Sequence, residues 1–178
     1  GQIYISTDAG VSWTPHENNR AWQSIAASAD GSKLVAVAQA GQIYTSTDAG
    51  VSWTPRESTR NWWSVASSSD GSKLIAVEAN GQIYTSTDSG VNWTPRATIR
   101  VWQSVASSAD GSKLVAVADS SQIYTSVDSG VNWTPRETNR KWNSVASSSD
   151  GSKLVAVVAN GQIYISTDAG VSWTPHEN

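Results

Sequence analysis

Short stretches of small polar and apolar residues recur along this chain at a fixed interval, each followed by a turn signal and a run of apolar residues. Ser64-Val65-Ala66-Ser67-Ser68 mixes small polar and apolar residues and is read as a half-buried strand. Asp70-Gly71-Ser72 follows as a hairpin turn signal, and Lys73-Leu74-Ile75-Ala76-Val77 reads as a second strand. A third is predicted at Gln82-Ile83-Tyr84-Thr85-Ser86. The turn Thr87-Asp88-Ser89-Gly90 leads to a fourth at Val91-Asn92-Trp93-Thr94, which Pro95 should end because it has no N–H to donate. No stretch has a helical period.

The whole unit repeats. Gly1-Gln2-Ile3-Tyr4 recurs at Gly41, Gly81 and Gly161, and at Ser121 as Ser-Gln-Ile-Tyr, so the period is 40 residues without an insertion. Four short strands and tight turns per period predict one four-stranded antiparallel sheet per repeat. A lone sheet of that size cannot bury both faces, so the repeats must stack face to face around an axis. The expected fold class is therefore all-β, a β-propeller of four-stranded blades. Small residues such as Ser24, Ala26 and Ser28 suit an innermost strand, where the sheets converge. The chain starts at a third strand. It reads as a hairpin at residues 1–18 and blades at about 21–58, 61–98, 101–138 and 141–178, one continuous array.

Composition narrows the chemistry. Only 38% of the 178 residues are hydrophobic, and there is no Phe, Met or Cys, so Val, Ile, Leu, Ala and the 10 Trp must build the core. The absence of cysteine removes disulfides, thiol catalysis and thiolate metal sites. A net charge of -3 points to no nucleic-acid or membrane-surface partner. Apolar runs such as Leu34 to Ala38 are too short to span a bilayer as a helix. The chain begins at Gly1 with no visible signal peptide, as a processed product, a recombinant fragment or a window of a longer chain would. Compartment is not legible.

Ser46-Thr47-Asp48-Ala49-Gly50-Val51-Ser52-Trp53 resembles the Asp-box of the BNR-repeat propellers, Ser-x-Asp-x-Gly-x-x-Trp. It recurs in phase from Ser6, Ser86, Ser126 and Ser166, with Val127 at a position the motif leaves free. Its chemistry is local: Asp accepts from backbone N–H groups of its own turn, Gly takes positive φ, and Trp covers the turn. The resemblance implies a fold-stabilising role for Asp8, Asp48, Asp88, Asp128 and Asp168, rather than catalysis or metal binding. The family includes sialidases, which use an arginine triad, a Tyr–Glu pair and an acidic residue at unique places. Here Tyr4, Tyr44, Tyr84, Tyr124 and Tyr164 all occupy one repeat position, whereas a catalytic site needs asymmetry. The expectation is no enzyme and no cofactor. A glycosidase also lacks a carboxylate couple standing apart from the repeat.

Residues 161–178 duplicate residues 1–18, and four blades are few for this family. Two chains could close an eight-bladed ring with two-fold symmetry, the duplicated hairpins competing for one place. A longer chain with a 160-residue super-repeat and a closed four-bladed monomer are the alternatives. Exact spacing, absent Met and Cys and the duplicated end favour an engineered symmetric propeller. Swaps such as Ala49 to Ser89 or Gln23 to Trp63 look more like drift after a recent natural amplification.

Two functional expectations follow: a non-catalytic scaffold assembling as a homodimer, or a module binding glycan, protein or a multivalent anion on its variable-loop face. Variation gathers before the first strand (His16 to Asn19 against Arg96 to Ile99) and after the second (Ala38 to Ala40 against Ala118 to Ser120). Arg20, Arg60, Arg100 and Arg140 occur once per blade beside the first strand. They either pair with Glu17, Glu57 and Glu137, or converge on the axis as an anion ring. Trp22, Trp62, Trp102 and Trp142 should pack between blades rather than stack on sugars, and Trp63 breaks their pattern.

Overall fold

The computed structural model describes residues 1–176, and those residues form sixteen strands and no helix. The hairpin β1 (Ile3–Ile5) and β2 (Thr14–His16) comes first. Blade 1 has β3 (Trp22–Ala27), β4 (Leu34–Ala38), β5 (Gly41–Ser46) and β6 (Thr54–Arg60), antiparallel and in sequence order. Blades 2 and 3 are β7 (Trp62–Ser67), β8 (Leu74–Ser86), β9 (Thr94–Ser107), β10 (Leu114–Ala118), β11 (Ser121–Ser126) and β12 (Thr134–Arg140). Here β8 spans the second and third strand positions of blade 2, bending at Asn80 with φ 59°. In turn β9 runs from the fourth strand of blade 2 into the first of blade 3, so the two blades form one six-stranded sheet. Blade 4 is β13 (Trp142–Ser147), β14 (Leu154–Val158), β15 (Ile163–Ser166) and β16 (Thr174–His176). Positions 177 and 178 of the fourth predicted blade lie outside the described residues.

Two sequence expectations need correction. The fourth strands begin at Thr54, Thr94, Thr134 and Thr174, three residues later than predicted, because the residues before them belong to the Asp-box turn. Nor does proline end them. Pro95 sits within β9 opposite Tyr84, and the strand continues past it. In blade 1 the fourth strand has a neighbour on one side only, so a proline facing the open side removes no ladder bond. Arg60 and Arg140 end fourth strands, paired to Gly41 and Ser121, Arg100 lies within β9, and each of the four arginines stands two residues before the tryptophan that opens a first strand.

Blades stack through three separate apolar clusters. Val35, Val37 and Ile43 of blade 1 meet Trp62, Val65, Leu74, Ala76 and Tyr84 of blade 2. The next two junctions repeat this arrangement from Ile75, Val77 and Ile83, and from Val115, Val117 and Ile123. First strands lie against one another, as their small residues predict, and Ser24 Oγ accepts from the Val65 N–H at 3.3 Å. The chain Ala29 to Ser69 to Ala109 to Ser149 is linked by N–H···O bonds of 2.7 Å from blade to blade.

The Asp-box turn of each blade closes over the third strand of the blade before it. Gly90 has φ +85°, and a Cβ there would stand 2.7 Å from Thr45 Cγ2. Glycine is thus required twice, for its backbone angle and for the close approach. The hairpin uses the same contact: Ile5 Cδ1 fills the space over Gly50. It occupies the place of a third and fourth strand ahead of blade 1, with no strand paired to the other edge of β1.

Both ends of the stack are consequently open. Ile25 is 53% exposed, whereas its counterpart Val65 is 5% exposed. At the far end Ile163 is 38% exposed, against none for Ile43.

Candidate functional site

Each junction carries the same polar cluster. A tryptophan at the start of the first strand meets a tyrosine of the third strand edge-on, with centroids 5.0–5.3 Å apart. The arginine two residues before the tryptophan then lies over that tyrosine: Arg20 on Tyr44 at 4.5 Å, Arg60 on Tyr84 at 5.0 Å, Arg100 on Tyr124 at 4.6 Å and Arg140 on Tyr164 at 4.9 Å. Such stacking holds the guanidinium plane and leaves its outer nitrogens free for an anion.

Glutamates take that role at three junctions. Glu17, Glu57 and Glu137 sit three residues before their arginines with N···O distances of 3.6–3.7 Å, and Glu78 adds a second contact to Arg60 at 3.7 Å. All three have positive φ, 61°, 51° and 56°, and Glu57 and Glu137 sit where the pairing of third and fourth strands shifts register. Of the four arginines, Arg100 differs. Ala97 stands where the others have glutamate, and among the described residues no carboxylate lies within ion-pair distance of it. Its one side-chain hydrogen bond goes from Nη1 to Ser121 Oγ at 3.4 Å.

The Asp-boxes fold as closed circuits. In blade 1, Ser46 Oγ donates to Asp48 Oδ1 at 2.7 Å and accepts from the Gly50 N–H at 2.8 Å. Asp48 Oδ1 accepts from the Ser52 N–H at 2.9 Å, and Trp53 Nε1 donates to the Gly50 carbonyl at 3.0 Å. Every copy repeats this, including Asp8, Asp88, Asp128 and Asp168. With these bonds made inside the turn, no box carboxylate is turned toward a shared centre. The first hairpin of each blade holds a second aspartate turn, at the position of the Asp-Gly-Ser turn signal. There Ser28 Oγ donates to Asp30 at 2.6 Å and the Ser32 N–H donates at 3.0 Å. The signal was Ser-x-Asp-Gly-Ser in every blade.

These donors stabilise the ionised carboxylates. The Ser12, Ser52 and Ser172 hydroxyls hold Asp8, Asp48 and Asp168 down at about 2, the Asn132 N–H does so for Asp128, and the Ser28 hydroxyl for Asp30. Asp70, Asp110 and Asp150 are lowered by Ser68, Ser108 and Ser148, and Asp88 by the Asn92 N–H. A lowered folded pKa means that the unfolded chain binds more protons, so this stability is complete above the unfolded value of about 3.9 and fades as pH falls toward about 2. Thermal unfolding followed by circular dichroism should give a flat midpoint above pH 5 and a steep fall between pH 4 and 2. A midpoint that held or rose on acidification would contradict the circuits.

The tryptophans leave no sugar platform at the inner junctions. Trp62, Trp102 and Trp142 are buried, and Trp63 packs partly buried against the cluster of the next junction. The two variable segments do share one end of each blade, tied by backbone bonds such as Gln39 N–H to Ala21 O at 2.9 Å. No group of three or more His, Asp or Glu side chains among the described residues is placed to hold a metal ion.

The BNR/Asp-box repeat matches residues 4–15 and 164–175, the first and last boxes. No curated protein matches the chain. Among solved structures, a GH74 enzyme of Niastella koreensis superposes with a TM-score of 0.68 at 26% identity, over 90% of this chain and 24% of the enzyme. YCF48 bound to a D1 peptide gives 0.72 at 20% identity, over 97% and 61%. A nidogen/laminin complex gives 0.76 at 16% identity, over 97% and 70%. These are propeller proteins, and the all-β stack of four-stranded antiparallel sheets is of their type. The chain spans about a quarter of the Niastella enzyme and less than two thirds of YCF48.

Proposed function

We propose that this chain is a non-catalytic blade scaffold, engineered or recently amplified, whose two open faces are closed by a second copy into an eight-bladed ring. The observation that carries this is that the ends hold the two halves of one junction. Blade 1 leaves Trp22, Ile25 and Leu34 exposed or half-buried, from the residue set that receives the preceding blade at every internal junction, while Ala36 and Tyr44 of that set are already covered. Blade 4 presents Val155, Val157 and Ile163, the set that is received. Between the hairpin and blade 1 lies a cavity of about 230 Å³, lined by Ile3, Tyr4, Trp22, Ile25 and Ala36. A neighbouring second strand belongs there: Val155 and Val157 of a second copy's β14 fill it, and β14 pairs with β1 in the register it uses with β15. The identical hairpins 1–18 and 161–178 contend for that one seat, so one of them gives way.

Light scattering behind size exclusion tests the assembly. A mass of twice 18.9 kDa at micromolar concentration is expected, and a single-chain mass at every concentration overturns it. A binding role is the second reading. It is supported by the likeness to YCF48 bound to a D1 peptide and to the nidogen/laminin complex, propellers that hold a peptide or a protein.

A further inference from the structure

We infer that the junction between blades 2 and 3 is a binding site for a ligand carboxylate, read by Arg100. The inference is independent of how the ends of the array associate. At the other three junctions the chain supplies the carboxylate itself, from Glu17, Glu57 or Glu137, to Nη2 of the stacked arginine. At this one Ala97 removes it, and the position matching Glu78 is Ala118, so neither internal partner exists. The cation is nonetheless built in the same way, over Tyr124 at 4.6 Å and half-buried, its Nε, like that of the other three arginines, buried with no hydrogen-bond partner among the described residues. A guanidinium held by an aromatic face, partly removed from water and lacking a counter-charge gains more from an added carboxylate than a fully solvated one does.

There is room for the ligand. A cavity of about 360 Å³ opens over Arg100, walled by Ala97, Thr98, Gln122, Trp133 and Pro135. Its size falls at the lower end of small-ligand sites, a few residues of extended peptide or a short-chain acid. Gln122 Nε2 is spent on the Ala97 carbonyl-equivalent contact one blade on, at Glu137 O (2.9 Å), and Trp133 Nε1 on Gly130 O (3.0 Å). The walls therefore offer apolar surface and few competing donors, and recognition rests on Arg100. The ligand places its carboxylate where the missing glutamate would be and lays its carbon chain on Trp133 and Pro135.

The test uses glutarate, acetyl-Glu-amide and the neutral acetyl-Gln-amide, titrated at low ionic strength into the labelled protein and followed by nitrogen–proton NMR. Saturable shifts at Ala97, Thr98, Gln122 and the Arg100 Nε–H are expected with the two carboxylates and not with the neutral probe. Response to glutarate alone assigns the site to small diacids; response to acetyl-Glu-amide as well assigns it to acidic side chains of a peptide. Ala97→Glu, which restores the repeat, should weaken binding at least tenfold, as should Arg100→Gln. Glu137→Ala should add a second site at Arg140, where no other carboxylate pairs with the arginine among the described residues. Unchanged affinity in Ala97→Glu, or equal shifts at all four arginines, would overturn the assignment.

Discussion

Ile25→Asp is expected to abolish the proposed two-chain assembly while leaving the three internal junctions as they are. In one chain Ile25 is 53% exposed, and a change there costs a folded monomer about 0.5 kcal/mol or less. In the proposed ring it takes the place that Val65 holds between blades 1 and 2, where only 5% of the side chain meets water. A carboxylate without a partner at that depth costs several kcal/mol. A two-fold ring contains the junction twice, so one substitution breaks both contacts. Val65→Asp is the matched control: the same chemistry inside the chain should unfold blades 1 and 2 rather than dissociate copies. A two-chain mass for Ile25→Asp, with native circular dichroism, would overturn the use of these faces in assembly.

The second large effect is Trp102→Ala, measured in the Ile25→Asp background so that only single chains are compared. Trp102 is fully buried, edge-on to Tyr124 at 5.3 Å, in a cluster with Val77, Ile83 and Val105. Its truncation should destabilise by about 3–5 kcal/mol, the range for a buried aromatic. Trp22 has the same ring contact, 5.1 Å from Tyr44, but the strand that would cover it is missing, so Trp22→Ala should cost less than half as much. Urea midpoints at constant slope give both numbers. Equal losses would mean that stability comes from within each blade and not from the junctions.

How far the sequence announced this can be judged residue by residue. The recurring short runs and the Ser-x-Asp-x-Gly-x-x-Trp spacing placed the first three strands and all five box turns, because those signals are local and repeat in phase. The fourth strand was set three residues early, since Val91 and Trp93 look like strand residues while the box turn uses them to close its own circuit. Proline misled for a related reason: its rule concerns strands with two neighbours. The arginines were seen as a set, but their stacking on a tyrosine 24 residues further on is a contact between blades, which no local pattern encodes. Ala97 was visible as a departure from the repeat. Its meaning depends on the Arg100–Tyr124 pair across the junction.

The glycine of each box turn, seated against the third strand of the preceding blade, has a consequence for how such a gene can change. Every junction uses one set of contacts at one spacing, so a crossover between any two equivalent codons deletes or inserts a multiple of 40 residues and still leaves each blade a fitting neighbour. The length of the array is thus free to drift under recombination while the fold of each blade is held.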